Sequence, residues 1–114
     1  MRVWYRVRDL DAGRDFYTRI LGFSETAYDA QTGFAELERG EMKVALAEGE
    51  PEEGGTATVD VDDVRAEADR LRAAGVDVGV VLELHGEVRL LDVYDPDGNR
   101  LQLAEDLERG VREP

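Results

Sequence analysis

Val7-Arg8-Asp9-Leu10-Asp11-Ala12-Gly13-Arg14-Asp15-Phe16-Tyr17-Thr18-Arg19-Ile20-Leu21-Gly22-Phe23 is the stretch that decides the fold, because its opening returns later as Val61-Asp62-Asp63-Val64. Asp9 or Asp11 suits a helix N-cap. Ala12, Phe16, Tyr17, Ile20 and Leu21 then recur at helical spacing, and Gly22 supplies the left-handed stop. Upstream, residues 2–8 alternate in polarity, with Val3, Tyr5 and Val7 on one face and Arg2, Trp4, Arg6 and Arg8 on the other, the signature of a half-buried strand. Downstream, strands are expected over residues 23–29, 34–38 and 42–47, separated by turns at Gln31-Thr32-Gly33 and Arg39-Gly40.

Glu50-Pro51-Glu52-Glu53-Gly54-Gly55 has linker composition, and beyond it the pattern restarts. Residues 56–61 read as a strand and Asp63 as an N-cap, with Val64, Ala68 and Leu71 marking a helix that ends at Gly75. Further strands are expected over 76–82, 88–94 and 101–104. The last two flank Asp95-Pro96-Asp97-Gly98-Asn99, in which Pro96 presets a turn and Gly98 can take positive φ. The chain therefore reads as two βαβββ modules, about 1–49 and about 55–105, joined near Gly54-Gly55. Neither module alone buries a good core. The expected fold is α+β: one domain over residues 1–106 in which two sheets form a half-open mixed β-barrel with the helices outside, followed by a polar tail at 107–114.

Composition narrows the function. The 114 residues carry 27 acidic and 14 basic side chains, a formal charge of −13, which repels phosphate backbones and anionic membranes. No nucleic-acid or membrane partner is expected. No apolar run approaches the roughly 18 residues that span a bilayer, and the alternating start is unlike a signal-peptide core, so a cytoplasmic protein is expected. The absence of cysteine removes thiol catalysis and thiolate metal sites. His85 is the single histidine, so a site needing two imidazoles within one chain is impossible.

Three segments resemble the vicinal oxygen chelate superfamily, the glyoxalase, bleomycin-resistance and dioxygenase group. Val7 to Phe23 is similar to its opening, Val61-Asp62-Asp63-Val64 to the start of its second module, and Asp95-Pro96-Asp97-Gly98-Asn99-Arg100-Leu101-Gln102-Leu103 to its closing hairpin. The resemblance covers nearly the whole chain. It implies a concave ligand cavity, frequent pairing of two copies, and, in the metal-dependent members, ligands from four strands. Carried onto this sequence, those positions hold Arg2, Ala45, Thr56 and Gln102. Arginine has no lone pair to give, alanine offers nothing, threonine has a weak neutral hydroxyl and glutamine one neutral carbonyl. No metal and no other cofactor is expected.

Alternation places the neighbours of these positions on the same face. The expected ligand-binding cavity is then lined by Arg2, Trp4, Arg6, Ala45, Thr56, Thr58, Asp60 and Gln102, with Ala47 close by. Arginines around a tryptophan suit a planar or anionic ligand, and Ala45 and Ala47 leave volume. The same residues also suit a filled cavity, with Trp4 plugging a dimer interface and Asp60 satisfying Arg6. No residue is assigned a catalytic role. His85 reads as a surface loop residue, Tyr94 as packing, and Glu36, Glu38, Glu41 and Glu48 as a solvated acidic face. The expected function is metal-independent sequestration of an aromatic or anionic compound by a homodimer. The alternative is a lyase, isomerase or dioxygenase working in the same cavity.

Overall fold

In a computed structural model, which describes residues 2–51 and 56–107, the first strand β1 (Arg2–Val7) buries Val3, Tyr5 and Val7 and exposes Arg2, Trp4 and Arg6, as its alternation requires. The Asp9 side chain caps helix α1 (Leu10–Asp15) by accepting from the Ala12 amide at 3.1 Å. The core-facing residue of this turn is Gly13, not the expected Ala12, which is exposed. A Cβ at position 13 would lie 3.3 Å from both Leu46 and Val7, so the helix sits on the sheet at backbone distance. The Thr18 hydroxyl donates to the Arg14 carbonyl at 2.7 Å, competing with the α-helical ladder, and residues Phe16–Ile20 widen into a π-helical turn. Gly22, at φ 78°, ends it, and the Phe23 amide closes back on the Tyr17 carbonyl at 2.9 Å. Phe23 thus belongs to the helix stop, and β2 begins one residue later than expected.

Strands β2 (Ser24–Asp29), β3 (Phe34–Arg39) and β4 (Met42–Glu48) complete the first sheet in the order β1-β4-β3-β2, with β1 and β4 parallel. The second half repeats this connectivity: β5 (Ala57–Asp60), α2 (Val64–Ala73), then β6 (Asp77–Val78), β7 (Leu82–Leu84), β8 (Val88–Tyr94) and β9 (Arg100–Asp106). Its order is β5-β9-β8-β6, with β7 also on β8, and β5 runs parallel to β9. The Asp63 side chain caps α2 by accepting from the Ala66 amide. The strand expected over 76–82 is two pieces. Between them the Gly79 amide donates to the Asp92 carbonyl, and Val80 turns out to solvent. This strand is a sheet edge, where an interrupted ladder removes a template for unwanted pairing. Among the described residues no strand of one sheet pairs with the other, so the architecture is α+β with two curled sheets and no closed barrel. The expected joint at Gly54-Gly55 and the tail beyond residue 107 lie outside the described residues.

Each helix packs on its own sheet, α1 on β3 and β4 and α2 on β6, β8 and β9. The core between helices and sheets contains Val3, Tyr5, Val7, Ala57, Val59, Leu101 and Leu103, the apolar faces expected from alternation. The halves are joined through the turn Asp95–Asn99. Asp95 is 4% exposed, a costly place for a carboxylate unless every lone pair is used. It accepts from the Tyr17 hydroxyl at 2.8 Å and from the Asp97 amide, the Asn99 amide and the Asn99 side chain at 2.9 Å each. Asn99 also donates to the Arg6 carbonyl at 2.9 Å, and Asp97 accepts from the Arg8 amide at 3.2 Å. These bonds occupy backbone groups on the edge of β1 that no strand covers. Burial, and then the Asp95 charge, push the Tyr17 phenol well above its ordinary value, so it remains the donor. The Tyr5 hydroxyl donates to the Arg100 carbonyl and accepts from the Ala57 amide.

Candidate functional site

The face away from the helices carries the expected residues of the first sheet. Strand register sets Trp4 beside Ala45 and Arg6 beside Ala47, and on the far side of β4 it sets Glu36 beside Ala45 and Phe34 beside Ala47. Because both alanines stop at Cβ, side chains from β1 and β3 meet above them. Arg2 Nη2 lies 2.7 Å from Glu36 Oε2, and the Trp4 and Phe34 rings pack at 5.5 Å with a tilt of 45°. Ala45 is consequently 0% exposed. The surface of Ala45 is closed off beside these two bridges, while Ala47 stays partly exposed. Arg2 is tethered to Glu36, while Trp4 remains 53% exposed. Two residues read as solvated acids have specific partners. Glu36 holds Arg2, and Glu48 accepts from the Leu10 amide at the start of α1.

On the second sheet, Thr58 lies beside Gln102 in register and Asp60 beside Ala104. Thr58 and Asp60 are exposed, and they border a groove of about 460 Å³ whose other wall is the β3–β4 turn, Arg39 to Met42. Thr56 and Gln102 are brought together, but through two residues the sequence reading did not select. Arg100 donates from Nη2 to the Thr56 hydroxyl at 3.2 Å, and its Nη1 lies 3.7 Å from Asp92. The other Asp92 oxygen accepts from the Gln102 side chain at 3.4 Å. Arg100 was within reach of the alternation rule, since it stands two residues before Gln102. Asp92 was not, because only the β8–β9 register sets it opposite Gln102. Next to Arg100, the Asn99 side chain donates to the Arg6 backbone carbonyl.

The four positions at which the resemblance implies metal ligands thus hold an arginine tethered to Glu36, a buried methyl, a hydroxyl accepting from Arg100, and an amide turned toward Asp92. This donor set does not fit a divalent cation, which needs several converging oxygen or nitrogen lone pairs. Among the described residues no group of three or more histidine, cysteine, aspartate or glutamate side chains is placed to hold a metal. His85 lies in the exposed β7–β8 turn, at φ 55°. Tyr94 is half-buried, opposite Arg100 on β8.

Two βαβββ units, each with a helix packed on its sheet and its first and last strands parallel, define a class of α+β domain. This chain belongs to the Glyoxalase/Bleomycin resistance protein/Dioxygenase superfamily, whose family model matches residues 2–103. Similar solved structures include TnmS3, an antibiotic binding protein from Streptomyces, with 23% identity and a TM-score of 0.77 over 92% of this chain and 93% of that one. The fosfomycin resistance protein FosX from Listeria monocytogenes is 18% identical, with a TM-score of 0.79 over 99% and 96%. Lactoylglutathione lyase from Agrobacterium tumefaciens is 18% identical, with a TM-score of 0.75 over 92% and 91%. At these identities the likeness is one of fold. The sequence has no significant match among curated proteins. No helix among the described residues is long and apolar enough to cross a membrane.

Proposed function

We propose that this protein is a metal-independent binding protein that sequesters a planar aromatic compound on the face carrying Arg2, Trp4 and Arg6 of the first sheet and Thr56, Thr58, Asp60 and Gln102 of the second, acting as a cytoplasmic homodimer. One observation carries the reading. Trp4, packed at a tilt against Phe34 beside Ala45, keeps half its surface in water. A large indole held rigid and exposed is a stacking platform, and the cost of exposing it is recovered when an aromatic ring covers it. With Ala45 buried, a ligand lies on the Trp4–Phe34 pair, not beneath it.

The dimer rests on the second sheet, where Val80, Leu82 and Leu84 are 71%, 53% and 42% exposed. A second copy covering them removes apolar surface from water. Trp4 is the only tryptophan, so its emission reports on this platform alone. Titration with planar aromatic compounds is expected to quench or shift it saturably, in the presence of chelator, and Phe34→Ala is expected to weaken the effect. Emission that no planar aromatic alters would refute the platform. Light scattering at physiological salt is expected to give a dimer mass, and a monomer mass for Leu82→Glu.

A further inference from the structure

We propose that a cavity on the helix side of the molecule, where the two halves meet, is a second ligand site and takes a small organic cation, an ammonium group on an aromatic or aliphatic body. The cavity, of about 490 Å³, is bounded by the π-helical turn of the first half, the end of α2 and the turn that follows β8. That volume falls in the range of small-molecule sites, roughly 300–1,000 Å³. Phe16, Ile20, Val76 and Pro96 give it apolar walls, with Tyr94 beside them. Phe16 and Ile20 are the first and last residues of the π-helical turn, in which the Leu21 amide donates to the Phe16 carbonyl at 3.0 Å. Single π turns concentrate at functional sites. Phe16 packs on Tyr17, and Tyr17 on Tyr5, on the opposite side of β1 from Trp4. The cavity is therefore separate from the Trp4 face.

The polar groups around the cavity select the ligand. The amides of Phe16, Ala74, Gly75, Val76, Asp95 and Gly98 all donate to carbonyls of their own turns, and Pro96 has no amide to give. No lysine or arginine lines the cavity. The arginines in the last turn of α2 are engaged on carbonyls, Arg70 on Ile20 and Arg72 on Gly79, at 2.9 Å each. Acceptors, by contrast, remain. Helix α2 ends here, and a helix C-terminus carries partial negative charge. Asp95 already takes its four donors, but Asp77 has none. Register sets Asp77 beside Tyr94, and its exposed carboxylate makes no side-chain hydrogen bond or ion pair among the described residues. A wall poor in donors and rich in acceptors disfavours anions and suits an ammonium, whose N–H groups bond to the Asp77 carboxylate while its charge rests against aromatic rings. The net charge of −13 adds attraction for cations at a distance.

The test uses 2-phenylethylammonium and its neutral counterpart, 2-phenylethanol, as probes, with calorimetry for affinity. Ile20 is the only isoleucine, so its methyl resonances report on the cavity, while Trp4 emission reports on the opposite face. The ammonium is expected to bind about fivefold more tightly than the alcohol, the scale of an exposed ion pair together with a cation–π contact. It is expected to shift the Ile20 methyl resonances saturably and to leave Trp4 emission unchanged. Asp77→Asn is expected to remove the preference at an unchanged melting temperature, because Asp77 supports no other side chain, and Asp77→Glu to keep part of it. Ala74→Phe, which adds a ring to the exposed rim, is expected to weaken binding of both probes. Ile20 resonances that neither probe moves overturn the site. Equal affinity for the two probes, or a preference that survives Asp77→Asn, overturns the assignment to a cation held by Asp77. A probe that moves Trp4 emission and not the Ile20 methyls binds the other face, and that too overturns the site.

Discussion

The first half of the chain runs four strands of six or seven residues, and its open face is bridged across β4 by Arg2–Glu36 and Trp4–Phe34. The second half repeats the connectivity, but its outer edge is broken into β6 and β7, of two and three residues, and its open face leaves Val80, Leu82 and Leu84 in water. The helices differ too. Gly13 lets α1 press against Leu46 and Val7, whereas the pattern match that pairs Val7 with Val61 sets Glu67 at the equivalent place in α2, and Glu67 reaches Arg39 in the first half. One topology thus gives one half whose open face is bridged by side-chain pairs and another whose edge leaves aliphatic side chains in water. The lesson is that strand order decides which residues share a face, while side-chain size on the middle strand decides whether that face closes on itself.

The largest effect is expected where the halves join. Asp95→Ala leaves the Tyr17 hydroxyl, the Asn99 side chain and two turn amides without their acceptor, and should cost about 3 kcal/mol of stability. Urea unfolding followed by Trp4 emission measures it; a loss under about 1 kcal/mol would mean that the turn is not what holds the halves together. The same contact predicts a pH dependence. A phenol whose pKa is raised on folding contributes stability that is complete below the unfolded value, about 10, and lost as pH rises toward the folded one. Unfolding midpoints compared at pH 8 and pH 10.5 should fall at the higher value, and the fall should be smaller in Tyr17→Phe.

Next in size is Gly13→Ala. The helix propensity gained, about 1 kcal/mol, is set against a Cβ driven to 3.3 Å from Leu46 and Val7. Net destabilisation of about 1 kcal/mol is expected, whereas Glu67→Ala, which removes a partly exposed ion pair with Arg39, should cost less. Equal losses would erase the asymmetry between the helices. The smallest effect belongs to the bridge above the alanines. Phe34→Ala removes a ring pair worth about 0.5–1.5 kcal/mol and uncovers Ala45, and Trp4 emission should move to longer wavelength as the indole gains water. An unchanged spectrum would show that Phe34 does not shelter it.

Much of this was present in the sequence. Polarity alternation in β1, β5 and β9 sorted the core face from the open face correctly, because a strand has only two sides. Asp9, Asp63 and Gly22 marked helix ends, since caps are local chemistry. The repeated Val-x-Asp pattern revealed the two halves, and the family resemblance followed from segments whose order, not only content, agreed. Local rules failed where neighbours intervene. Gly13, not Ala12, faces the core because α1 lies so close to the sheet that a Cβ there would be 3.3 Å from Leu46 and Val7. The strand expected over 76–82 breaks between Val78 and Leu82, where the Gly79 amide turns to the Asp92 carbonyl and Val80 faces solvent.

The open face shows the division most clearly. From sequence alone Arg2, Trp4, Arg6, Ala45, Thr56, Thr58, Asp60 and Gln102 could be assigned to it, because which side of a strand a residue occupies follows from its position. Whether that face was hollow could not be read, since Ala45 is buried by Arg2, Trp4, Phe34 and Glu36, and these come from strands on either side of it. Nor could the Arg100–Asp92 pair, which depends on the β8–β9 register. Periodicity is a property of one strand and is written along the chain. The closing of a cavity and the pairing of charges are properties of neighbouring strands, and only tertiary structure sets them side by side.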